Sequence, residues 1–391
     1  MSDGISVLHV VPAFSPVSET FIYDLVTAQA AQGARLAVAT RRRENENRRP
    51  FEPVHVLEPP GRWNPSRLAA RAAGLFSPDQ ISQASWPAMR AQLRRLIETH
   101  GADLVHAHFG PAGVLAAPAA QRAGVPLVTT FYGYDATVLP RNAAWRKAYA
   151  QLFGGASRLV GISNHICGLL HRLGAPPECV SMVHLGVHLD QFPFAPPKAR
   201  YQNGPVRCLH VGRLVEKKAP VHLVRAIGAA APRVPAGLQL TMVGEGPLRQ
   251  EVESEIERLG LSETVDLLGR VPHHEVKAQF QQAHLYTQHC LTASDGDQEG
   301  QGVSFVEASA TGLPVVATRH NGLVDVIEDG VTGHLVEEGD VDAMADRIVE
   351  LANAPETWDT MGTAGRRRVE ERFDAVAQTA HMLDLYRSVL S

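Results

Sequence analysis

The sequence predicts an α/β protein with two doubly wound domains, each built on a parallel sheet. Short runs rich in β-branched residues alternate with helical stretches along the chain, as in successive βαβ units. The alternation stops at residues 191–205, where prolines and polar residues take over, and then starts again. With 391 residues, the chain is also too long for one ordinary core. We therefore expect domains at 1–195 and 196–372, facing each other across a cleft at the carboxyl ends of their strands.

The individual strands are predicted from these runs. In the first domain they are residues 6–11, 35–40, 103–108, 126–131, 158–163 and 179–184. In the second domain they are residues 206–211, 238–243, 264–269, 283–288, 313–318 and 334–336. The tail from Asp342 onwards is predicted to be helical, because Met344, Ile348 and Leu351 recur at the spacing of one helix face.

The composition is that of a globular protein and excludes several classes. Hydrophobic residues make up 45% of the chain and charged residues 20%. The sequence contains no run of about 18 apolar residues that would cross a bilayer, and its beginning lacks the pattern of an export signal. Four cysteines without CxxC spacing fit reduced thiols. We expect a cytoplasmic protein.

The two halves of the chain carry opposite net charge. Residues 1–195 hold 18 Lys and Arg against 13 Asp and Glu, whereas the remainder holds 19 against 28. An arginine-rich stretch contains Arg41, Arg42, Arg43, Arg48, Arg49, Arg62, Arg67 and Arg71. It either holds anionic lipid heads at the inner face of the membrane, or holds a phosphorylated acceptor, or is a solvated loop. Nucleic acid is not expected, because no aromatic residues interleave with these arginines and the pI is about 6.5.

A glycine-rich turn at Glu299 leads into an apolar helix and then a buried strand. A helix that begins near Gly302 presents unpaired amides and the positive end of its dipole, which together favour an anion. Glu299 then lies beside the anion, and Glu307 lies further along the helix. We expect one carboxylate to take sugar hydroxyls and the other a ribose diol. The alternative is a βα unit with two solvated acids.

Two cations follow the first strand of the second domain. Arg213 can chelate phosphate oxygens and Lys218 adds a mobile charge, so the pair can neutralise the diphosphate of a leaving nucleotide. A charged surface turn is the alternative. Gly244 ends the next strand and lets the backbone approach a ligand. The sequence has neither GxGxxG nor a Walker pattern here, which disfavours a dehydrogenase and P-loop chemistry.

The 18 histidines raise the question of a metal, and the sequence predicts none. His106 and His108 point the same way at the end of a strand, but spacing places no third ligand beside them. Gly186 breaks the helix that His184 and His188 would need. We expect His108 either to hydrogen-bond a substrate hydroxyl or to have a structural role.

Two turns of the first domain complete the candidate site. Ser18 caps the helix after the first strand, and the same turn can receive an acceptor or the donor phosphate. Tyr132 and Asp135 lie in a strand-to-glycine turn, where both can reach sugar hydroxyls. We place Ser18, His108, Tyr132 and Asp135 on the acceptor side.

Several motifs together resemble one family. They are SETFI at 18–22, HAHFG at 106–110, GYD at 133–135, VGRLVEKK at 211–218, GEGPLR at 244–249, LGRVP at 268–272, and the Glu299–Glu307 pair followed by ATGLPVVAT. Over nearly its whole length the chain is similar to the retaining GT-B glycosyltransferases of family 4, especially bacterial polysaccharide enzymes of the colanic-acid type. The resemblance implies two Rossmann-like domains and a last helix, at 373–391, that crosses back onto the first domain.

The resemblance also implies roles for individual residues. Arg213 and Lys218 would hold the donor diphosphate, Glu307 the ribose, and Val271 with its neighbours the base. The transferred sugar would contact Glu299 and the amides of Gly300, Gln301, Gly302 and Val303. No cofactor or metal is expected beside the nucleotide-sugar donor.

Three positions depart from the family pattern. Tyr132 stands where relatives usually carry a histidine over the donor sugar, Ala219 replaces a glycine after Lys218, and His188 ends the usual GVD triplet. A phenol is larger than an imidazole and does not titrate near neutral pH. Tyr132 therefore bears on the identity of the sugar and on activity.

The predicted function is retaining, metal-independent transfer of a hexose from a UDP or GDP sugar to a glycan, lipid-linked or small-molecule acceptor in cell-surface polysaccharide or glycoconjugate biosynthesis. In a front-face route the leaving phosphate accepts the acceptor's proton, and a covalent intermediate on Glu299 is the alternative. A sugar-nucleotide epimerase would use the same phosphate site without an acceptor. A non-catalytic sugar-nucleotide sensor would bind donor without turnover.

Overall fold

The computed structural model describes residues 4–16, 20–58 and 86–391. The chain divides into two compact units. Unit 1 comprises the chain up to Ile162, together with Ile166–Val183 and Thr379–Ser391. Unit 2 comprises Ser163–His165 and His184–Gln378. The last segment of the chain thus belongs to the unit in which the chain began.

Unit 1 is built on a seven-stranded parallel sheet. The strands are β1 (Ser6–Val11), β2 (Arg35–Thr40), β3 (Val54–Val56), β4 (Leu104–His108), β5 (Leu127–Phe131), β6 (Arg158–Gly161) and β7 (Val180–Met182). The helices are α1 (Thr20–Ala31), α2 (Trp86–His100), α3 (Gly110–Ala123), α4 (Tyr134–Thr137), α5 (Ala143–Phe153) and α6 (Asn164–Arg172). The strand order β3-β2-β1-β4-β5-β6-β7 reverses direction between β1 and β4, which is the topological switch point of a doubly wound sheet.

The central strands of unit 1 are buried on both faces. Every residue of β1, β4 and β5 is buried, which fits the apolar residues that make up most of these segments. The buried polar residues include Ser6, Thr129, Thr130 and three histidines, since His9, His106 and His108 are each 0% exposed. Buried polar side chains need hydrogen-bond partners, so we expect each of these three imidazoles to be hydrogen-bonded within the protein.

Unit 2 repeats the plan with a six-stranded parallel sheet. The strands are β8 (Val206–Val211), β9 (Leu238–Val243), β10 (Val265–Gly269), β11 (Leu285–Gln288), β12 (Val315–Thr318) and β13 (Gly333–Val336). The helices are α7 (Pro220–Ala230), α8 (Arg249–Leu259), α9 (His273–Gln282), α10 (Val303–Thr311), α11 (Leu323–Val326), α12 (Val341–Asn353) and α13 (Trp358–Arg372). The final helix, α14 (Ala375–Leu390), begins in unit 2 and belongs to unit 1 from Thr379 onwards. The order β10-β9-β8-β11-β12-β13 reverses between β8 and β11.

Two hydrophobic clusters cover the two faces of this second sheet. Alternate residues of β8 enter different clusters: Cys208 joins one with Trp358, and Leu209 joins the other with Phe305 and Phe373. This is the period of two expected for a strand. Because both faces are covered by helices, ligands can reach the sheet only past the ends of its strands.

The predicted α/β architecture with two parallel sheets is confirmed, and each predicted strand is present. The predicted helical tail after Asp342 is α12, α13 and α14. One strand was missed: β3 is an edge strand of three residues whose side chains are half-buried or exposed, so no buried run announces it. Among the described helices, none has both the length and the apolar content needed to cross a bilayer.

Helix α13 packs on the end of α10 through a glycine. A Cβ added to Gly362 would lie 2.0 Å from the carbonyl oxygen of Gly312, whereas a Cβ on Gly365 would come no nearer than 3.5 Å to Ser309. We expect Gly362→Ala to lower the thermal midpoint, because α13 must move off α10 at a cost of about 1–3 kcal/mol. Gly365→Ala is the matched control, which should keep or raise the midpoint through helix propensity. Scanning fluorimetry measures both, and equal midpoints would contradict this packing.

Candidate functional site

The glycine-rich turn that we predict to bind an anion leads directly into α10, and this helix begins at Val303. Gly302 is the N-cap residue, with φ 80°, and no side chain caps the helix. A Cβ on Gly302 would lie 2.6 Å from the Phe305 ring, so both the backbone conformation and the space require glycine. The amides of Val303 and Ser304 therefore begin a helix whose positive end carries no side-chain acceptor.

The residues before this N-cap are held rigidly. Gln301 is fully buried, and its side-chain oxygen accepts from the Leu185 amide (2.8 Å) while its side-chain nitrogen donates to the Leu185 carbonyl (2.9 Å). A Cβ on Gly322 would lie 1.8 Å from the Gly300 carbonyl oxygen, so two backbones meet there. The side chain of Gln301 is a structural group, and a ligand at this turn would meet main-chain atoms.

Lys218 and Glu299 form a buried ion pair. Lys218 Nζ lies 2.8 Å from Glu299 Oε2, and the two side chains are only 11% and 15% exposed. Lys218 Nζ also lies 5.8 Å from the ring centre of Phe305, in the first turn of α10. In the amide orientation that satisfies both of its polar atoms, Gln288 accepts a further hydrogen bond from Lys218 Nζ (2.8 Å). The structure thus brings together Lys218, Glu299 and the N-terminus of α10.

The pKa shifts of the pair follow from its geometry. Burial would raise the pKa of Glu299, but the Lys218 and Lys217 ammonium groups outweigh it and hold that pKa below its ordinary value. Burial would lower the pKa of Lys218, but the Glu299 carboxylate raises it above its ordinary value. Both groups are therefore charged at neutral pH.

Three consecutive residues tie the loop after β8 to the loop before α10. Glu216 accepts from the amide and the hydroxyl of Ser294, each at 2.8 Å. Lys217 Nζ lies 3.1 Å from Asp297 Oδ1 and donates to the Gln298 carbonyl (3.2 Å). With the Lys218–Glu299 contact, these bonds hold both loops at the carboxyl edge of the sheet.

A histidine supports the turn from the other side. The Glu299 amide donates to His320 Nε2 (3.1 Å), so the His320 proton lies on Nδ1, which donates to Glu338 Oε1 (2.5 Å). His320 is fully buried. Sequence reasoning missed His320, Glu338 and Asp297, because nothing in their spacing connects them to Glu299.

Arg213 and Gly244 lie at the ends of β8 and β9. Arg213 is exposed, and no ion pair involves it within the described residues, so a ligand anion can reach its guanidinium. A Cβ on Gly244 would lie 1.9 Å from the Gly212 carbonyl oxygen. Close packing of two backbone segments therefore explains Gly244 without any ligand.

The remaining predicted donor residues lie nearby in the fold. Glu307 is half-buried in α10, one to two turns after its N-terminus. Val271 follows β10 and packs, partly buried, against the cluster that contains Phe305. Their roles toward ribose and base stay predictions.

Ala219 adopts the left-handed conformation, with φ 38° and ψ 51°, directly after Lys218. This explains why a glycine is the usual residue there: the conformation costs a residue with a Cβ about 1–2 kcal/mol. The strained residue lies between Lys218 and the first residue of α7, so this turn connects the Lys218 position to the helix.

In unit 1, the Asp135 carboxylate accepts hydrogen bonds from the backbone of its own turn and from Gly110. Its oxygens accept from the amides of Tyr132 (3.0 Å), Gly133 (2.9 Å) and Gly110 (2.9 Å), and it is 1% exposed. Burial raises its pKa, which the backbone bonds oppose. These contacts account for Asp135 as an organiser of the turn. Its role toward sugar hydroxyls stays a prediction, and Ser18 lies outside the described residues.

Spacing along the sequence places no third ligand beside His106 and His108, but the fold brings a third imidazole next to them. His9 lies on β1 opposite His106, and one nitrogen of each of the three rings lies within 4.8 Å of the others. The signal in the sequence was a histidine inside an otherwise apolar buried strand. His108 itself donates to or accepts from His9 and Tyr132, so it is engaged within unit 1.

A cavity of about 400 Å³ opens at the switch point of the unit 1 sheet. Its walls come from residues after β1, from Phe109 at the start of α3, and from the buried Trp86 and Trp145. Arg41 and Arg42 also line it. The cavity combines an aromatic, apolar wall with Arg41, with Arg42, which pairs with Glu44, and with the buried Asp135.

Other members of the arginine-rich stretch serve the fold. Arg43 donates to Ser15 Oγ (3.0 Å) and lies 4.8 Å from the centre of the Phe14 ring. Arg49 donates to the Pro16 carbonyl (3.1 Å). Arg62, Arg67 and Arg71 lie outside the described residues. The stretch is thus partly structural, and Arg41 and Arg42 are its members at the cavity.

Comparisons with known proteins identify the class. Residues 192–368 match the model of Glycosyl transferases group 1, and residues 18–191 match that of Glycosyltransferase Family 4. The chain therefore belongs to the family 4 glycosyltransferases, and the predicted family is confirmed.

Individual relatives support this. The chain is 30% identical to a Salmonella typhimurium protein named colanic acid biosynthesis glycosyltransferase WcaL, over 95% of this chain and 97% of that protein. It is 33% identical to the amylovoran biosynthesis glycosyltransferase AmsK of Erwinia amylovora, over 72% of this chain and 70% of the relative. The crystal structure of Anabaena HepE, solved in complex with UDP and glucose, matches with a TM-score of 0.77 and 20% identity over 98% of this chain and all of that one. This likeness supports the GT-B fold.

Replacing Glu299 should change how stability depends on pH. Because its folded pKa lies below the ordinary 4.5, the carboxylate stabilises the fold fully above that pH and loses its contribution as pH falls below it. At neutral pH, Glu299→Gln should cost about 3 kcal/mol, since the Lys218 ammonium stays buried without its counter-charge. The cost should shrink below pH 4.5. Thermal midpoints measured along a pH series, with the exposed Glu350→Gln as control, test this; a pH-independent difference would contradict it.

Replacing Ala219 should relieve strain. We expect Ala219→Gly to raise the thermal midpoint, with a gain of about 1 kcal/mol, because glycine adopts the left-handed conformation without a Cβ clash. Ala226→Gly, in the right-handed interior of α7, should lower the midpoint by a comparable free energy. Shifts in the same direction for both variants would show that the turn is not strained.

Proposed function

We propose that this glycosyltransferase transfers a hexose from a nucleotide diphosphate sugar to a hydroxyl acceptor, with retention at the anomeric carbon, in the assembly of a cell-surface polysaccharide. The observation that carries the proposal is the uncapped N-terminus of α10 beside the buried Lys218–Glu299 pair. An anion at that helix end would meet main-chain donors and an ammonium group together.

The donor would be held by residues that end the unit 2 strands. Arg213 is exposed and can chelate the diphosphate. Lys218, already positioned by Glu299, would share its ammonium with the phosphate oxygens. Glu299 would then face sugar hydroxyls beside the amides of Gly300 to Val303, and Glu307 would take the ribose. These two side-chain cations would supply the neutralisation that the departing diphosphate needs, so the proposed reaction requires no metal.

The same arrangement favours a front-face reaction. Glu299 is paired with Lys218 at 2.8 Å, and an ion-paired carboxylate is a poor nucleophile compared with a free one. The leaving phosphate is the base nearest the incoming hydroxyl in such a reaction. Catalysis would then consist of positioning both substrates and stabilising charge on the leaving group.

The acceptor would bind in unit 1, where the cavity at the switch point offers an aromatic wall and two arginines. That chemistry suits an acceptor with an apolar portion and an anionic group, as in a lipid-linked saccharide phosphate. The relatives named for colanic acid and amylovoran biosynthesis are consistent with such an acceptor. A peripheral location at the inner face of the membrane is part of the proposal.

A thermal-shift screen against UDP and GDP sugars identifies the donor, because a ligand that binds only the folded protein raises the midpoint. Incubation of that donor with and without a lipid-linked acceptor then separates the possible activities. Transfer that needs the acceptor supports the proposal. Conversion of the donor alone to an isomeric sugar nucleotide indicates an epimerase, and binding without turnover indicates a sensor.

Arg213→Ala should lower kcat/KM by about 10²-fold, because a charge-stabilising donor to the leaving diphosphate is lost. The matched control is Arg347→Ala in the same unit, an exposed arginine that pairs with Glu350 on α12. Steady-state kinetics with the identified donor measures both variants. A near-normal rate for Arg213→Ala would remove this residue from the diphosphate site.

A further inference from the structure

The Lys218 ammonium group has an uncharged hydrogen-bond partner besides Glu299. Gln288, the last residue of β11, is 0% exposed, and its amide oxygen accepts from Lys218 Nζ at 2.8 Å. Its amide nitrogen donates to the Tyr286 hydroxyl (2.9 Å) and to the Val211 carbonyl (3.2 Å). Both ends of this buried amide are therefore hydrogen-bonded inside the protein, and one of its partners is the candidate phosphate-binding lysine.

The neighbours of the Gln288 amide fix its orientation. An ammonium group can only donate, so the end of the amide that faces Lys218 must be the oxygen. Cys290 Sγ lies 3.2 Å from the same end, and burial raises the pKa of this thiol to about 11, so it is an S–H group that can donate there as well. The Val211 carbonyl can only accept, and it faces the nitrogen. The amide therefore meets Lys218 as an acceptor.

Tyr286 extends this contact to helix α10. Its hydroxyl accepts from the Gln288 amide and donates to Ser304 Oγ (2.8 Å), in the first turn of that helix. Tyr286 is 0% exposed, and burial raises the pKa of its hydroxyl well above the ordinary value, so the group stays protonated. Two buried neutral side chains thus connect the ammonium group to the N-terminus of α10, in addition to the ion pair with Glu299.

A neutral partner has an effect on Lys218 that a second carboxylate would not have. Glu299 stabilises the ammonium group but also offsets its charge toward an approaching anion, whereas an amide oxygen holds the ammonium group and leaves its charge in place. Every residue of β11 is buried, a setting in which apolar side chains are usual. The contact with Lys218 therefore gives a physical reason for a glutamine at position 288.

We propose that Gln288, supported by Tyr286, is a positioning residue for Lys218: it keeps the ammonium group beside the N-terminus of α10 without neutralising it. Lys218 then stays in place when a diphosphate shares its ammonium group with Glu299. The inference rests on the proposed diphosphate site, and it adds that diphosphate affinity depends on an uncharged residue that acts only through Lys218. The hydrogen bond between Gln288 and Lys218 does not rest on the proposed function.

Calorimetric titration of the full chain with inorganic pyrophosphate tests the consequence for binding. Gln288→Met keeps the length of the side chain and removes the acceptor, so we expect the affinity to fall about tenfold, the value of one ordinary hydrogen bond. Tyr286→Phe should lower it about threefold, because Gln288 keeps its bond to the Val211 carbonyl. An unchanged affinity in Gln288→Met would overturn the proposal.

Gln191→Met is the matched control for the titration. Gln191 accepts from Lys277 Nζ at the same distance of 2.8 Å, and Lys277 Nζ likewise lies 5.8 Å from the centre of an aromatic ring. Both residues belong to unit 2. The variant removes an equivalent hydrogen bond from a different lysine, so it should bind pyrophosphate like the wild type. An equal loss of affinity in both variants would show a general effect on unit 2 and would refute the role of Gln288.

The lysine ammonium group reports the contact without any ligand. In protein labelled with ¹⁵N-lysine, Gln288→Met should shift the Lys218 Nζ signal and speed the exchange of its protons with water, whereas Gln191→Met should act on Lys277. A merely structural role of Gln288 would leave the Lys218 signal unmoved. A loss of pyrophosphate affinity without a change in that signal would therefore overturn the proposal.

Gln288→Glu tests whether the neutral character of the partner matters. The new carboxyl group keeps a hydrogen bond to Lys218, and the adjacent ammonium group keeps it ionised at neutral pH. We expect pyrophosphate affinity at least as low as that of Gln288→Met, because two carboxylates then offset one ammonium group. Affinity equal to that of the wild type would overturn the proposal.

The failure of this inference can be told apart from the failure of the proposed function. If the wild-type protein bound neither pyrophosphate nor a nucleoside diphosphate, the donor site would be wrong and the inference would fall with it. If the wild type bound both and Gln288→Met bound them equally well, the role of Gln288 alone would be refuted. Binding that weakens in Gln288→Met together with a shifted Lys218 signal supports the inference, whether or not the hexose transfer is confirmed.

Discussion

The ion pair between Lys218 and Glu299 is the interaction on which the candidate donor site depends. Each buried charge is stabilised chiefly by the other, which lies 2.8 Å away. The pair also fastens the loop after β8 to the loop that leads into α10, with Glu216 and Lys217 making parallel contacts beside it. The N-terminus of α10 is thus held in place by contacts within the protein, which is the preorganisation that the proposed electrostatic role needs.

Unit 1 also buries polar side chains, but it stabilises them with hydrogen bonds between neutral groups. Its sheet is covered on both faces, so polar side chains within β1 and β4 must find partners among themselves and the covering helices. His9, His106 and His108 do so through Gln29 on α1 and Tyr386 on α14. Unit 2 therefore relies on a salt bridge at the carboxyl edge of its sheet, and unit 1 relies on neutral hydrogen bonds inside its sheet.

The sequence was sufficient for the fold and for local features of the site. Continuous apolar runs located the buried strands, and glycine before an apolar helix located the N-terminus of α10. Both signals are local. The edge strand β3 was missed because it buries too little to leave a pattern. Gly244 was assigned to ligand approach, although the nearby Gly212 carbonyl already explains it.

The partners of the site residues could not be predicted in the same way. Gln29 and Tyr386 are 357 positions apart, and His9 and His108 are 99 apart. Only the sheet order, which puts β1 beside β4, and the return of the C-terminal segment bring them together. His320 likewise reaches Glu299 through the tertiary fold, and a single sequence carries no periodicity for such contacts.

The return of Thr379–Ser391 to unit 1 decides how that unit can be produced on its own. A fragment that ends near Val183 would lack Tyr386, leaving the Gln29 amide and one nitrogen of His106 without their partners in a dry interior. An expressible N-terminal half would have to carry the final helical turns as a grafted tail. Truncations or bulky fusions at the C-terminus would accordingly destabilise unit 1, which contains the N-terminal part of the chain.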